Sequence, residues 1–230
     1  YEFTYLRFVG FTKVPYLIHA DAYVSLDADL IFSEAFPPYV EGLLKGEGVG
    51  GFVSTMGPRM ELVLNTWDKY KPLRDVADFV GVKPLMPYRV CAGLFGLKRE
   101  VWSGVMQRAF QMFHRYYEAH PHLKKERDWD RAPAEECFIT VALTPYYHKG
   151  QITFVAVGPG IKCCPELPAV PTSIFRYTLT HSASFLAYLK FLKQEIMSRL
   201  GEGILEASVN DVLSLIRERQ YIYADGELQG

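Results

Sequence analysis

At 230 residues the chain suits one sizeable α/β domain, or one domain with a small helical appendage. Hydrophobic residues make up 49% and charged residues 22%, as in an ordinary globular chain, and no apolar stretch reaches the length that spans a bilayer. With 25 Lys and Arg against 26 Asp and Glu, the net charge of −1 gives no general electrostatic case for nucleic acid.

Residues 3–18 read as a short helix or an irregular segment, because Pro15 argues against one continuous helix. His19 and Asp21 follow as loop polars. The apolar run Tyr23-Val24-Ser25-Leu26 then feeds the acidic triplet Asp27-Ala28-Asp29, and Leu30-Ile31-Phe32 resumes the apolar pattern. Carboxylates are costly to bury unless something pairs with them, so two at the end of a buried strand want a cation. Residues i and i+2 share one side of an extended chain, which lets Asp27 and Asp29 approach a single divalent ion. Hard oxygen ligands suit Mg²⁺ or Mn²⁺, ions that leave positions open for water and phosphate oxygens. The plain alternative is an acidic triplet in a solvated loop.

Leu26-Asp27-Ala28-Asp29 followed by Leu30-Ile31-Phe32 resembles the DxD motif of nucleotide-sugar-dependent glycosyltransferases with the GT-A fold. In that superfamily the motif ends a central strand and binds the metal that holds the donor's diphosphate. The resemblance covers about residues 1–185 at superfamily level. It implies an α/β, Rossmann-like, mixed and mostly parallel sheet flanked by helices, and Mn²⁺ or Mg²⁺ as cofactor. It also implies a nucleoside diphosphate-sugar donor, with UDP the expected nucleotide, and a carbohydrate, glycoprotein or glycolipid acceptor. Asp27 would serve both metal and donor, and Asp29 the metal. Arg7 sits where the family often carries a basic residue that reaches the donor or its diphosphate; a surface arginine is the alternative. Family members normally have several nucleotide-binding strands before the motif. Only residues 1–26 precede Asp27, so the expectation is a chain lacking that part.

Beyond the motif, Ser33 reads as the N-cap of a helix over 34–45, and Gly46 to Gly51 open a strand over 49–54. No Gly-Lys-Ser/Thr follows, so these glycines are a turn and not a phosphate loop. Residues 57–90, rich in Pro, Lys and Arg, show no clear periodicity and read as a long excursion beside the site. Arg59, Arg74, Lys83 and Arg89 are its candidates for phosphate or acceptor contacts. Cys91 to Leu97 reads as a strand carrying Gly93 and Gly96, which weaken a strand unless a ligand or backbone comes close. By resemblance, Ala92-Gly93 corresponds to the small-residue strand that lies against the donor sugar; close packing of a helix would use the same residues.

Residues 99–119 carry apolar side chains three and four apart (Val101, Val105, Ala109, Met112, Phe113, Tyr116), a helix that Pro121 stops. His114, His120 and His122 read as solvated helix-end residues. Trp129, inside the charged run 124–131, is a candidate ring for stacking on a sugar. Pro133 then starts a helix whose first turn holds Glu135 and Glu136, which suits the helix dipole without any catalysis. The resemblance makes this the acidic element of GT-A enzymes, in which one carboxylate faces the donor sugar or takes the acceptor's proton. Between Glu135 and Glu136 the sequence does not choose. Gln151 to Val157 is a strand, and His181, at the end of the last core strand, is the resemblance's candidate for a third metal ligand or else a core histidine. From Ser184 a pair of helices follows, suited to a dimer contact or a further domain.

Two domains are therefore expected, a GT-A-like catalytic part over 1–183 and a helical extension over 184–230. The four cysteines have no zinc-type spacing and read as reduced thiols. No targeting segment is visible, which leaves cytoplasm and Golgi lumen equally open. The expected activity is metal-dependent transfer of a hexose from a nucleoside diphosphate-sugar to a hydroxyl. Two rivals stand beside it: a metal-dependent nucleotidyltransferase, and a non-catalytic assembly domain in which the aspartates merely cap a strand.

Overall fold

The computed structural model describes residues 1–27, 30–31, 36–46, 48–55, 57–64, 68–126, 131–156, 166–168 and 175–176. The chain divides into two units, one of Tyr1–Ala28 with Phe32–Ile174 and the other of Asp29–Ile31 with Phe175–Gly230. In the second unit, β2 (Leu30–Ile31) pairs antiparallel with β6 (Phe175–Arg176), Leu30 opposite Arg176. The expected boundary at 183/184, the helical pair after it and the Ser33 cap lie outside the described residues.

The first unit opens on α1 (Glu2–Leu17), a single helix despite Pro15. The expected interruption does not occur, and the reason is local. Pro15 has no N–H for the Phe11 carbonyl, and the indole N–H of Trp102 donates to that carbonyl instead, at 2.8 Å. Placed in the last turn, the proline removes one bond that another side chain replaces.

Four strands form the sheet: β1 (Ala22–Leu26), β3 (Gly51–Thr55), β4 (Leu94–Lys98) and β5 (Thr153–Ala156), in the order β1-β4-β3-β5. β4 runs antiparallel to both β1 and β3, and β3 runs parallel to β5. The sheet is mixed, as expected. β1, β3 and β5 share a direction that β4 opposes, but among the described residues only one of the three ladders is parallel. The pairing of these described strands therefore does not show a parallel majority, because β4 sits between β1 and β3.

Alternation along β1 sends Tyr23 and Ser25 to one face and Ala22, Val24 and Leu26 to the other. The Tyr23 ring meets Trp102 of α5 (Arg99–Ala119) at 5.6 Å between centroids. Against the opposite face lies α2 (Phe36–Lys45), which joins Ala22, Val24 and Leu26 in lining a cleft of about 640 Å³. On the Tyr23 side, α5 packs against α1 and against α6 (Glu135–His148). Phe8, Phe113, Phe138 and Tyr117, from these three helices, are all at most 2% exposed and hold them together.

The excursion over 57–90 is more regular than its sequence suggests. It contains α3 (Met60–Val63), a short 3₁₀ turn (Asp68–Tyr70) and α4 (Lys71–Val80). Leu73, Val76 and Ala77 give α4 a buried face against α6, Pro72 occupies its first turn, and Gly81 closes it with φ of 70°.

Candidate active site

Register builds the site. Leu26, the last residue of β1, lies opposite Leu94, the first of β4, so the chain leaving β1 and the chain entering β4 meet at one end of the sheet. The Asp27 N–H donates to the Gly93 carbonyl at 2.9 Å, extending the ladder one step past both strands. That end is the carboxyl end of β1, β3 and β5, where open α/β sheets collect ligands. The first turn of α6 and the first half of α1 reach the same place. Arg7, Asp27, Ala92, Gly93, Glu135 and Glu136, which the sequence singles out separately, are brought together there.

Arg7 is the link between two acids. One terminal guanidinium nitrogen donates to Oδ1 of Asp27, and the other to Oε1 of Glu135. The Thr4 hydroxyl lies 3.4 Å from Oε2 of Glu135, so both oxygens of that carboxylate are occupied. Glu135 is 3% exposed, a depth at which an unpaired carboxylate is costly. Burial pulls the Arg7 guanidinium down, but the charges of Glu135 and Asp27 outweigh it and hold the group above its ordinary value. One cation between two anions leaves the cluster with a net charge of −1, formed from residues of three separate elements.

Glu136 turns the other way. Its Oε1 accepts the Ala92 N–H at 3.0 Å, and its Oε2 pairs with Arg89 at 3.2 Å. The Arg89 guanidinium lies over the Tyr70 ring, 5.5 Å from its centroid. Burial lowers this guanidinium's affinity for its proton, and the neighbouring Glu136 charge more than restores it. Arg89, expected as a phosphate or acceptor contact, is therefore Glu136's counter-ion.

Other expected residues fall elsewhere. Arg59 pairs with Glu61 at 3.0 Å, Lys83 with Asp78 at 2.7 Å, and Arg74 donates to the Leu64 carbonyl at 2.8 Å. His19 meets Arg99, and His114 packs on Phe110 at 4.4 Å between ring centroids. His120 stacks on Tyr116 at the same separation and is not merely a solvated helix end. Asp29, Trp129 and His181 lie outside the described residues. Thr4, Ser25 and Thr140 belong to the site yet carry no signal in the sequence, since isolated hydroxyl residues in apolar runs have no distinguishing spacing.

The donor chemistry of Asp27 is that of a hard-cation ligand, but its Oδ1 already takes Arg7. Among the described residues no group of three His, Cys, Asp or Glu side chains forms a cation site. Cys91 and Cys137 are buried, too deep to serve as exposed ligands. Among the described residues no helix is long and apolar enough to cross a membrane. No protein-family model matches the sequence, and no curated protein matches it either.

Proposed function

We propose that this chain is a GT-A-like glycosyltransferase that moves a hexose from a nucleoside diphosphate-sugar, UDP being the favoured nucleotide, to an acceptor hydroxyl. The observation that carries the reading is the meeting of Asp27, the first acid of the DxD-like triplet, with Arg7, the Ala92–Gly93 turn and Glu135 at the carboxyl end of the sheet. Residues far apart in the sequence, each picked out by the resemblance, share one place.

In this reading the Ala92–Gly93 turn, which is buried and carries no bulky side chain, backs the place where the sugar ring lies. The Arg7–Asp27–Glu135 cluster, with its surplus negative charge, stabilises the positive charge that develops on a sugar ring as its glycosidic bond to phosphate breaks. Arg7 does so indirectly, by fixing both carboxylates. A carboxylate of the α6 first turn takes the acceptor's proton where the reaction inverts configuration. A divalent ion, Mn²⁺ or Mg²⁺, would neutralise charge on the leaving diphosphate, with the acidic residues of the DxD-like triplet as the resemblance's candidate ligands. Acceptors of carbohydrate, glycoprotein or glycolipid type follow from the resemblance.

One observation favours the assembly-domain alternative: the oxygens of Glu135 and Glu136 are all engaged within the protein, as a purely structural cluster would have them. Turnover separates the readings. The chain is incubated with UDP-hexoses and Mn²⁺, and UDP release is followed with simple sugars as acceptors. Release that falls at least about a hundredfold in Glu135→Gln supports the transferase. Release of pyrophosphate from a nucleoside triphosphate and sugar phosphate would favour the nucleotidyltransferase, and absence of either product the assembly domain.

A further inference from the structure

The turn that enters β4 is held at nearly every polar backbone group. The Val90 N–H donates to Thr140 Oγ1 at 3.1 Å and the Cys91 N–H to the Ser54 carbonyl at 2.7 Å. The Ala92 N–H goes to Glu136 Oε1 at 3.0 Å, and the Ser25 hydroxyl lies 3.4 Å from the Ala92 carbonyl. The Gly93 carbonyl accepts from the Asp27 N–H at 2.9 Å. Elements on three sides thus supply the partners: α6, β3 and the end of β1. Among these partners Glu136 alone is ionised, and it is also the one whose position is set by a second ion pair, to Arg89. A charged acceptor makes the stronger hydrogen bond. A carboxylate spent on a backbone amide and a guanidinium is arranged to hold a main chain in place.

We infer that Glu136 is a positioning residue, its carboxylate holding the buried Ala92–Gly93 turn in the shape that backs the donor-sugar site, with Arg89 fixing the carboxylate. Glu135, sharing Arg7 with Asp27, is left as the acid of the pair that belongs to the reacting centre. The sugar part of this assignment rests on the glycosyltransferase reading; the mechanical part does not. The chemistry is separable by substitution. Glutamine keeps an acceptor oxygen for the Ala92 N–H but loses the charge, alanine loses both, and aspartate keeps the charge on a side chain too short to reach.

The test joins amide hydrogen exchange at Ala92 with calorimetric binding of UDP and of a UDP-hexose to the same chains. E136A is expected to speed exchange at Ala92 by about tenfold or more, the loss of a hydrogen bond to a charged group. It should weaken the UDP-hexose by about tenfold and leave UDP unchanged. E136Q, which keeps an acceptor oxygen for the Ala92 N–H but loses the ion pair to Arg89, should fall between the wild type and E136A in both. Where E136A does not fold, E136D gives the same readout, with faster exchange and weaker sugar-nucleotide binding despite its retained charge. Wild-type exchange at Ala92 in E136A or E136D would overturn the assignment. So would an E136Q as impaired as E136A, since that would make the charge the working property. UDP and UDP-hexose weakened equally would overturn the link to the sugar. A wild-type chain that binds neither nucleotide would sink the glycosyltransferase reading, while the exchange data would still decide the role of Glu136.

Discussion

Arg7 carries one positive charge between two carboxylates, and its removal leaves both of them facing each other at partial or full burial. Glu135 is 3% exposed, so solvent cannot take over the task. Breaking a buried ion pair by deleting one partner costs about 3–5 kcal/mol, mostly because the stranded charge remains. Arg7→Ala is therefore expected to lower unfolding stability by about that amount, read by urea denaturation at neutral pH. The double variant Arg7→Met with Glu135→Gln should recover part of the loss, because it removes the excess charge along with its partner. A loss in Arg7→Ala below about 1 kcal/mol would show the cluster to be solvated after all.

At the scale of elements, α1 shows how a helix survives a proline when another group takes the freed carbonyl. Trp102 is 2% exposed and donates to the Phe11 carbonyl that Pro15 cannot serve. Trp102→Phe should destabilise the chain through a lost hydrogen bond of roughly 1–3 kcal/mol, plus a cavity contribution from the smaller ring. In a Pro15→Ala background an N–H is available to Phe11, and the same substitution should cost about 1 kcal/mol less. That coupling is what a double-mutant cycle measures. Equal costs in the two backgrounds would mean the indole contributes by packing alone.

The same elements show what the sequence made legible. α5 could be read to its ends because its apolar residues recur three and four apart and Pro121 stops it. α4 could not, because Lys71, Arg74, Asp75 and Asp78 are set among Leu73, Val76 and Ala77, and the surrounding prolines blur a ten-residue period. Arg7, Asp27, Ala92, Gly93 and Glu135 could each be singled out in the sequence, but that they meet at one end of the sheet is set by the fold. So is the split between Glu135 and Glu136. Adjacent residues on a helix point about 100° apart, so these two face different neighbours, and only the fold says that one meets Arg7 and the other the Ala92 amide.

For the whole molecule, the buried acids with raised proton affinity set an alkaline limit. Burial pushes the Cys137 thiol from 9.0 up to about 12, and burial likewise carries the Tyr116 hydroxyl from 10.0 to about 12. In the unfolded chain these groups release their protons near the ordinary values, while the folded chain retains them. Above pH 9 the unfolded state therefore binds fewer protons, and stability falls as pH rises toward 12. Each such group contributes a slope of about 1.4 kcal/mol per pH unit while only the unfolded state ionises. Denaturation midpoints should hold steady from pH 7 to about 8.5 and then decline, with a shallower decline in Cys137→Ala after allowance for its smaller side chain. A flat profile through pH 11 would contradict the burial of these groups.

Calorimetric titration of UDP with and without Mn²⁺ decides whether the acidic triplet beginning at Asp27 is, as we propose, part of a nucleotide-sugar site. The prediction is binding to the wild-type chain that requires Mn²⁺ and weakens by at least about a hundredfold in Asp29→Asn, the loss expected on removing a metal-ligating charge. UDP binding indifferent to Mn²⁺ and to Asp29→Asn, or no binding of UDP or any UDP-hexose, would contradict the claim and leave the cluster of Arg7, Asp27 and Glu135 as a structural ion pair.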